Sequence, residues 1–157
     1  MSEGKKDGLK QYTAYEMASI IERLCAFSVA TSAHDYGTGE QFTSTEVHIL
    51  SYIAENLGIT VTEIAYKWNR TKGAISQVIK KLEHKKLIYR KKMDGNDKTV
   101  CLFVTDKGKK LDAAHQKYDT GNYERFLVLM EAYFSMDEIN HAFEIFDVWV
   151  TLAEDFD

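Results

Sequence analysis

The chain has 157 residues, 45% of them apolar and 28% charged, which is enough for one hydrophobic core and excludes wholesale disorder. Two widely separated cysteines, Cys25 and Cys101, exclude a disulfide framework and a zinc finger, and no apolar run approaches the roughly 18 residues of a membrane span, so we expect a single cytoplasmic domain over residues 1–157. The net charge of −4 would argue against a polyanionic partner, but the charge has to be counted segment by segment. The absence of proline favours a mainly helical chain.

Two helices are predicted in the first part of the chain. Thr13 and Glu16 have the spacing of a capping box and are followed by apolar residues at steps of three and four, which predicts a helix over about residues 13–35. After a turn with two glycines, a second helix is predicted to begin at Thr43 or Ser44 and to end at Gly58. Its inward stripe is predicted to contain Val47, Leu50, Ile53, Ala54 and Leu57.

Two short helices and a hairpin are predicted next. Thr60 and Glu63 form another capping box before a helix that stops at Asn69, and Thr71 caps a further helix. The inward residues of that helix are Ile75, Val78, Ile79 and Leu82. Residues 87–92 and 99–104 are rich in β-branched and aromatic residues and flank a turn-forming cluster at 94–97, which predicts a β-hairpin.

The C-terminal part of the chain is predicted to be helical. Thr105 caps a long helix that runs to about Phe134, and Ser135 caps a last helix. The order of elements therefore predicts a mainly α fold with a small β-hairpin wing, in which a winged helix-turn-helix is flanked by N- and C-terminal helices.

The basic residues are concentrated in the predicted helix-turn-helix and hairpin. Between Tyr66 and Lys110 there are 14 lysines and arginines against 4 acids, whereas the rest of the chain is strongly acidic. Because one segment carries this charge, we expect it to bind double-stranded DNA, with the helix after Thr71 in the major groove. The predicted DNA-binding residues are Arg70, Thr71, Lys72, Gly73, Ser76, Gln77, Lys80, Lys81, Lys92 and Lys98.

Within that set, different side chains are expected to do different work. Thr71, Lys72, Ser76 and Gln77 are near the start of the helix and are placed to reach base edges. Lys80 and Lys81 are expected to meet phosphates, because a flexible ammonium carries little sequence information. Lys98 is expected to reach the backbone or the minor groove from the hairpin tip.

Four segments resemble the MarR-type winged-helix regulators. They are Phe42–Glu46, Thr62–Ala65, Leu82–Ile88 and Val104–Leu111, and the resemblance runs from about Thr43 to Lys110. It implies a winged helix-turn-helix region at about 43–111 and an obligate homodimer in which the helices at about 13–35 and 112–157 interlock. It also implies a transcriptional regulator that binds a near-palindromic site and responds to a ligand, and we expect a repressor rather than an activator.

The chain departs from the family pattern at two positions. Members usually carry glycine where Lys86 stands, so we expect Lys86 to adopt a left-handed conformation at some cost. They also carry an arginine between two aspartates at the wing tip, where this chain has Asn96. The homodimer has independent support, because the first helix and the last two are more apolar than a small winged domain can cover.

An effector site is suggested by three side chains. Residues four apart share a helix face, so His115 and Asp119 are candidate ligands of one metal ion, with His48 brought in by packing. In the zinc-sensing branch of the resembling family, histidines occur at the positions of His48 and His115, whereas a branch that controls fatty-acid synthesis genes carries similar histidines without using metal. We expect a structural histidine pair and no cofactor, with a metal or an acyl ligand as alternatives.

A redox response is a further alternative. Cys25 is near the position of the reactive thiol in the peroxide-sensing branch of that family, but a sensor thiol needs exposure and a lowered pKa. We expect Cys25 to be a buried apolar residue instead.

An enzyme and a protein-interaction module are the alternatives to a DNA-binding regulator. An enzyme is disfavoured because the chain has no glycine-rich phosphate loop, no HExxH motif and no nucleophile elbow. A winged-helix module that binds protein partners is the stronger alternative, since such folds are reused in that way.

Overall fold

The described part of the protein is mainly helical and contains one two-stranded hairpin. The structure, a computed structural model, describes residues 11–29, 33–93 and 96–154, but not the side chains of residues 27–29, 93, 96–98 and 154. Its elements in chain order are α1 (Ala14–Val29), α2 (Ser44–Glu55), α3 (Val61–Lys67), α4 (Lys72–His84), β1 (Ile88–Met93), β2 (Asn96–Val104), α5 (Asp106–Met130) and α6 (Met136–Glu154). The fold class expected from the sequence is confirmed.

Side-chain caps fix the starts of α2, α3 and α4. The amide of Thr43 donates to Oε2 of Glu46 at 2.9 Å, and the amide of Glu46 donates back to Oγ1 of Thr43 at 3.3 Å. Thr60 and Glu63 repeat this reciprocal arrangement, and the hydroxyl of Thr71 caps α4. These hydrogen bonds satisfy amides that have no partner within the helix, which is why the predicted starts are confirmed.

The first helix is shorter than the prediction of about 13–35. The described part of α1 runs to Val29, and residues 30–32 lie outside the described part. Residues 33–35 are not helical, and His34 pairs with Phe42 through two backbone hydrogen bonds of 2.9 and 3.1 Å. Between them the carboxylate of Asp35 accepts from the amides of Thr38 and Gly39 at 2.8 and 3.1 Å. This local turn, which sequence periodicity does not register, gives residues 33–42 an irregular path; we call them the linker segment.

The hydrophobic core lies among α2, α3, α4, the hairpin and the first turns of α5. Its buried members are Phe42, Val47, Ile49, Leu50, Ile53, Ile64, Ala65, Ile75, Ile79, Leu82, Leu87, Ile88, Leu102, Val104 and Leu111. One predicted core residue is wrong: Leu57 is 63% exposed, because α2 ends before Asn56 and the chain leaves the helical face there.

The hairpin pairs antiparallel strands and is tied to the rest of the core. Ile88 is opposite Val104 and Lys92 is opposite Val100, with an irregularity after Lys92. Leu102 also exchanges backbone hydrogen bonds with the chain between α2 and α3, at Gly58 and Ile59. The wing is therefore anchored on both edges of β2.

The chain divides into two compact units. One is Thr13–Tyr118, and the other comprises the described residues up to Tyr12 together with those from Asp119 onward. Helix α5 ends at Met130, slightly before the predicted end near Phe134, and Ser135 caps α6 as predicted, through its hydrogen bonds with Glu138. Among the described residues, no helix combines the length and the apolar character needed to cross a bilayer.

Candidate nucleic-acid interface

Helix α4 buries one face and exposes the other. Ile75, Ile79 and Leu82 are in the core, whereas the opposite face carries polar side chains. Of the predicted base-contacting and phosphate-contacting residues, the exposed ones are Thr71, Lys72, Gln77, Lys80 and Lys81, and Ser76 is half-buried. The structure therefore places these side chains on one outward surface of a helix.

A tight turn at Asn69 and Arg70 connects α3 to α4. Asn69 has a φ of 45°, a left-handed conformation that asparagine tolerates better than most residues, and the amide of Arg70 donates to the carbonyl of Ala65 at 2.9 Å. Arg70 and Gly73 are exposed next to the N-terminus of α4. The N-terminal end of a helix favours an anion, so this end suits a phosphate group.

The C-terminal end of α4 has a closed hydrogen-bond pattern. The amide of Leu87 donates to the carbonyl of Leu82 at 2.9 Å, and the amide of Lys86 donates to the carbonyl of Glu83 at 2.8 Å. This is a Schellman motif, whose left-handed position is usually glycine. Lys86 occupies it with a φ of 59°, as the sequence predicted.

Several of the basic residues are paired with acids of the same chain. Nζ of Lys81 is 3.7 Å from Oε1 of the buried Glu46, Nε of Arg90 is 2.8 Å from Oε1 of Glu83, and Lys107 contacts Glu40. These pairs reduce the positive charge that the segment offers to an anion below the value counted from the sequence. Lys81 remains 62% exposed at its side chain, and the carboxylate that it pairs with lies on α2.

The wing presents Lys92 on an exposed strand position, and Tyr89 and Phe103 stack on its surface with ring centroids 5.5 Å apart. The tip of the wing lies outside the described part of the chain: residues 94–95 are not described, and neither are the side chains of Asn96 and Lys98. The expectations for Lys98 and for the departure at Asn96 therefore stay predictions.

The histidines lie within a cluster of aromatic rings. The rings of His48 and His115 meet edge to face with centroids 4.8 Å apart, and His115 also packs against Tyr36 at 5.3 Å. Nδ1 of the buried His115 is 3.4 Å from Oγ of Ser51, whose hydroxyl donates to Asp112. The expected histidine pair is thus formed.

Asp119 follows His115 by one turn of the same helix, as the spacing required. His48, His115 and Asp119 can each offer one ligand atom within 4.8 Å of the others. In a tetrahedral zinc site the ligand atoms are about 3.4 Å apart, so a zinc ion would need a small movement of these side chains. Cys25, in contrast to the expectation of burial, is exposed on α1.

Sequence reasoning missed the residues that hold α4 in place. Glu46 stands three residues after Thr43, the N-cap of α2, and its contact with Lys81 of α4 was not predicted. Glu40 and Lys107 are 67 positions apart and form a 2.7 Å hydrogen bond. A contact between such distant positions has no periodic signal in a single sequence.

Comparisons with known proteins find one family model and a relative of known class. A family model described as MarR family matches residues 42–100. The chain is 36% identical over 117 residues to the uncharacterized HTH-type transcriptional regulator YhjH of Bacillus subtilis (strain 168), a match that covers 74% of this chain and 66% of the relative. The chain thus spans slightly under two thirds of the length of that relative.

Solved structures show the same fold at low identity. Streptococcus pneumoniae FabT in complex with DNA superposes with a TM-score of 0.67 at 18% identity, covering 90% of this chain and 94% of that one. Lactococcus lactis ZitR, described as a zinc-responsive MarR family member, gives a TM-score of 0.62 at 20% identity, covering 91% and 96%.

Proposed function

The chain belongs to the MarR family of transcriptional regulators, and from that premise we propose that it binds a near-palindromic operator as a homodimer and represses transcription. Members of this family are DNA-binding regulators and not enzymes. The observation that carries the proposal is the outward face of α4, which presents polar and basic side chains while its other face is held in the core.

The proposed roles follow from position on α4. Lys72 and Gln77 are exposed on its first turns, where a helix in the major groove meets base edges, and we assign them and Thr71 and Ser76 to sequence recognition. Lys80 is exposed further along and is assigned to a phosphate. Arg70, Gly73, Lys81, Lys92 and Lys98 complete the proposed DNA-binding set.

The homodimer is supported by apolar faces exposed on three helices. On α1 the exposed apolar side chains include Met17, Ile20 and Leu24, which are 48%, 40% and 58% exposed. On α5 and α6 they include Phe126, Leu129, Phe143, Phe146 and Trp149. Large exposed apolar patches mark protein–protein contacts, and a two-fold assembly presents two recognition helices to a palindrome. Light scattering during gel filtration should give twice the chain mass.

Selection of DNA fragments by the purified protein tests DNA binding. We expect one enriched sequence with two-fold symmetry, and an affinity that falls steeply as salt rises. Gln77→Ala should relax the sequence preference, whereas Lys80→Ala should weaken binding to all duplexes alike. If the protein showed no duplex affinity even at low salt, the protein-interaction alternative would replace this proposal.

Regulation by an effector is the second part of the proposal, and zinc is the candidate that an observation favours. His48, His115 and Asp119 bring three ligand atoms close together, and one structural neighbour is a zinc-responsive protein. Calorimetric titration with zinc should show binding in the parent and weaker binding in His48→Ala, because the exposed His48 lies outside the hydrophobic core but contacts His115. Affinity no tighter than micromolar would leave the histidines as a packing contact.

A further inference from the structure

The turn that ends α4 is held by the first turn of α5 through three successive carbonyl oxygens. The carbonyl of Lys85 accepts from Nζ of Lys107 at 3.1 Å, and that of Lys86 accepts from Oγ1 of Thr105 at 2.8 Å. The carbonyl of Leu87 accepts from the amide of Thr105 at 2.9 Å. The last carbonyls of a helix otherwise have no partner within it, so these contacts fix the point from which both α4 and the wing depart.

The linker segment reaches the same turn from the other side. Oε1 of Glu40 is 2.7 Å from Nζ of Lys107, and Nζ of Lys85 donates to the carbonyl of Gln41 at 2.9 Å. The ammonium of Lys85 also lies 3.9 Å from the centre of the buried Phe42 ring. Two lysines and a carboxylate therefore connect the linker segment, the end of α4 and the start of α5.

Glu40 is charged, and its charge is stabilised by Lys107. The hydrogen bond from Lys107 is the main reason that the pKa of Glu40 is lowered from its usual value, and the charges of Lys107 and Lys85 lower it further. Glu40 is thus ionised at neutral pH, and it keeps the ammonium of Lys107 directed at the carbonyl of Lys85.

We infer that Glu40 and Lys107 form a positioning pair for operator recognition: the pair sets the orientation of α4 relative to the wing without contacting DNA. This inference rests on the proposed function. The tilt of a recognition helix decides which base edges its side chains reach, whereas contacts to phosphates tolerate a small change of angle. Loss of the pair should therefore reduce discrimination more than general DNA affinity.

The same linker segment carries His34 and Tyr36 into the aromatic cluster around His115. The ring of His34 lies 4.1 Å from that of Tyr118, and the ring of Tyr36 lies 5.4 Å from it. Glu40 lies on the same segment, four residues after Tyr36, and contacts Lys107. The linker segment and the positioning pair therefore connect the aromatic cluster around His115 with the C-terminal end of α4.

Glu40→Gln is the decisive variant, because electrostatics and positioning predict opposite results. Removal of a negative charge should strengthen binding to any polyanion, whereas loss of the positioning pair should weaken operator binding. We expect the affinity for the selected operator to fall roughly threefold to fivefold, with affinity for a random duplex unchanged or slightly higher.

Three further variants complete the experiment. Lys107→Met should show the same loss of discrimination, and Lys107→Arg should retain part of the discrimination because the arginine keeps the charge that pairs with Glu40. Lys109→Met, which removes an equal charge from an exposed position of α5, should weaken both duplexes equally. In Glu40→Gln, amide hydrogen exchange at Lys86 and Leu87 should be faster than in the parent.

The outcomes separate this inference from the proposed function. If Glu40→Gln bound the operator as tightly as the parent or more tightly, the positioning role would be wrong and the proposed function would stand. Equal losses on operator and random duplex would indicate general unfolding and would also overturn it. If the parent itself preferred no duplex, the proposed function would fail and this inference with it.

Discussion

Gly108 lies directly against the carbonyl oxygen of Leu87. A Cβ atom at position 108 would overlap that oxygen and would stand 2.6 Å from Cγ2 of Val104. The oxygen already accepts the amide of Thr105 and shares the Thr105 hydroxyl with the carbonyl of Lys86, so Thr105 holds it in place. The first turn of α5 therefore requires glycine at this point, because any side chain would separate α5 from the turn that ends α4.

Gly108→Ala should lower the free energy of unfolding by about 1–3 kcal/mol, the usual cost of adding a methyl group to a packed site. Urea denaturation followed by circular dichroism measures this. Gly121→Ala is the matched control, because it lies in the same helix with nothing within 4 Å of the added atom. There the alanine should stabilise the protein by about 0.5–1 kcal/mol. Equal effects at the two positions would contradict the packing argument.

Lys86→Gly should stabilise the protein by roughly 0.5–1 kcal/mol. Glycine removes the left-handed strain at φ 59°, and this gain exceeds the entropy it adds to the unfolded chain. Lys86→Ala is the control: it removes the same ammonium but keeps the Cβ atom, so it should give no stabilisation. A thermal melt of the two variants decides the matter, and a gain in both would show that charge and not conformation is responsible.

Lys80→Ala and Lys81→Ala should differ in their effect on DNA binding, although the sequence assigned both to phosphates. Lys80 is exposed, whereas the ammonium of Lys81 faces the buried carboxylate of Glu46. Loss of Lys80 should reduce the slope of log affinity against log salt by about 0.9, the value expected for one phosphate contact, and loss of Lys81 should reduce it by less. Identical slopes would restore the sequence-based assignment.

The capping box of α3 should make stability depend on pH. Hydrogen bonds from the side chain and amide of Thr60 lower the pKa of Glu63. A lowered pKa in the folded state contributes stability above the ordinary pKa, which is lost as the pH falls through the lowered value. The stability difference between the parent and Glu63→Gln should thus be largest near neutral pH and shrink in acid.

Urea titrations of the parent and Glu63→Gln at several pH values measure this difference. Thr60→Ala should cost about 1 kcal/mol near neutral pH and weaken the pH dependence, since it removes one of the bonds to the carboxylate. Thr62→Ala, at an exposed position two residues after the cap, should change stability by less than about 0.5 kcal/mol. A difference between the parent and Glu63→Gln that grew in acid would reverse the assigned sign.

The fold was largely predictable because its boundaries are marked by local chemistry. Thr43, Thr60 and Thr71 begin helices through hydrogen bonds to residues three positions later, and such short-range patterns are visible in a sequence. The end of α1 was not predictable in this way. There the pairing of His34 with Phe42 and the turn at Asp35 override a helical pattern.

The exposed face of the candidate interface was predictable from the sequence, but the contacts that hold α4 to the other elements were not. The exposed face of α4 follows from the spacing of Ile75, Ile79 and Leu82. The contacts of Glu40 with Lys107 and of Glu46 with Lys81 join distant elements, and they show that part of the basic charge counted in the sequence is neutralised within the fold. A count of charges cannot distinguish a lysine that faces solvent from one that faces a carboxylate.

The way α4 is mounted has a consequence for evolution and for engineering. A threonine hydroxyl holds one end of the helix and backbone carbonyls hold the other, whereas the outward side chains of Lys72 and Gln77 take no part in either attachment. Substitutions at these outer positions should therefore leave the scaffold intact. A few substitutions at these positions should change the DNA sequence that the protein recognises. Duplicated copies of its gene can therefore diverge in target sequence while they keep the same fold.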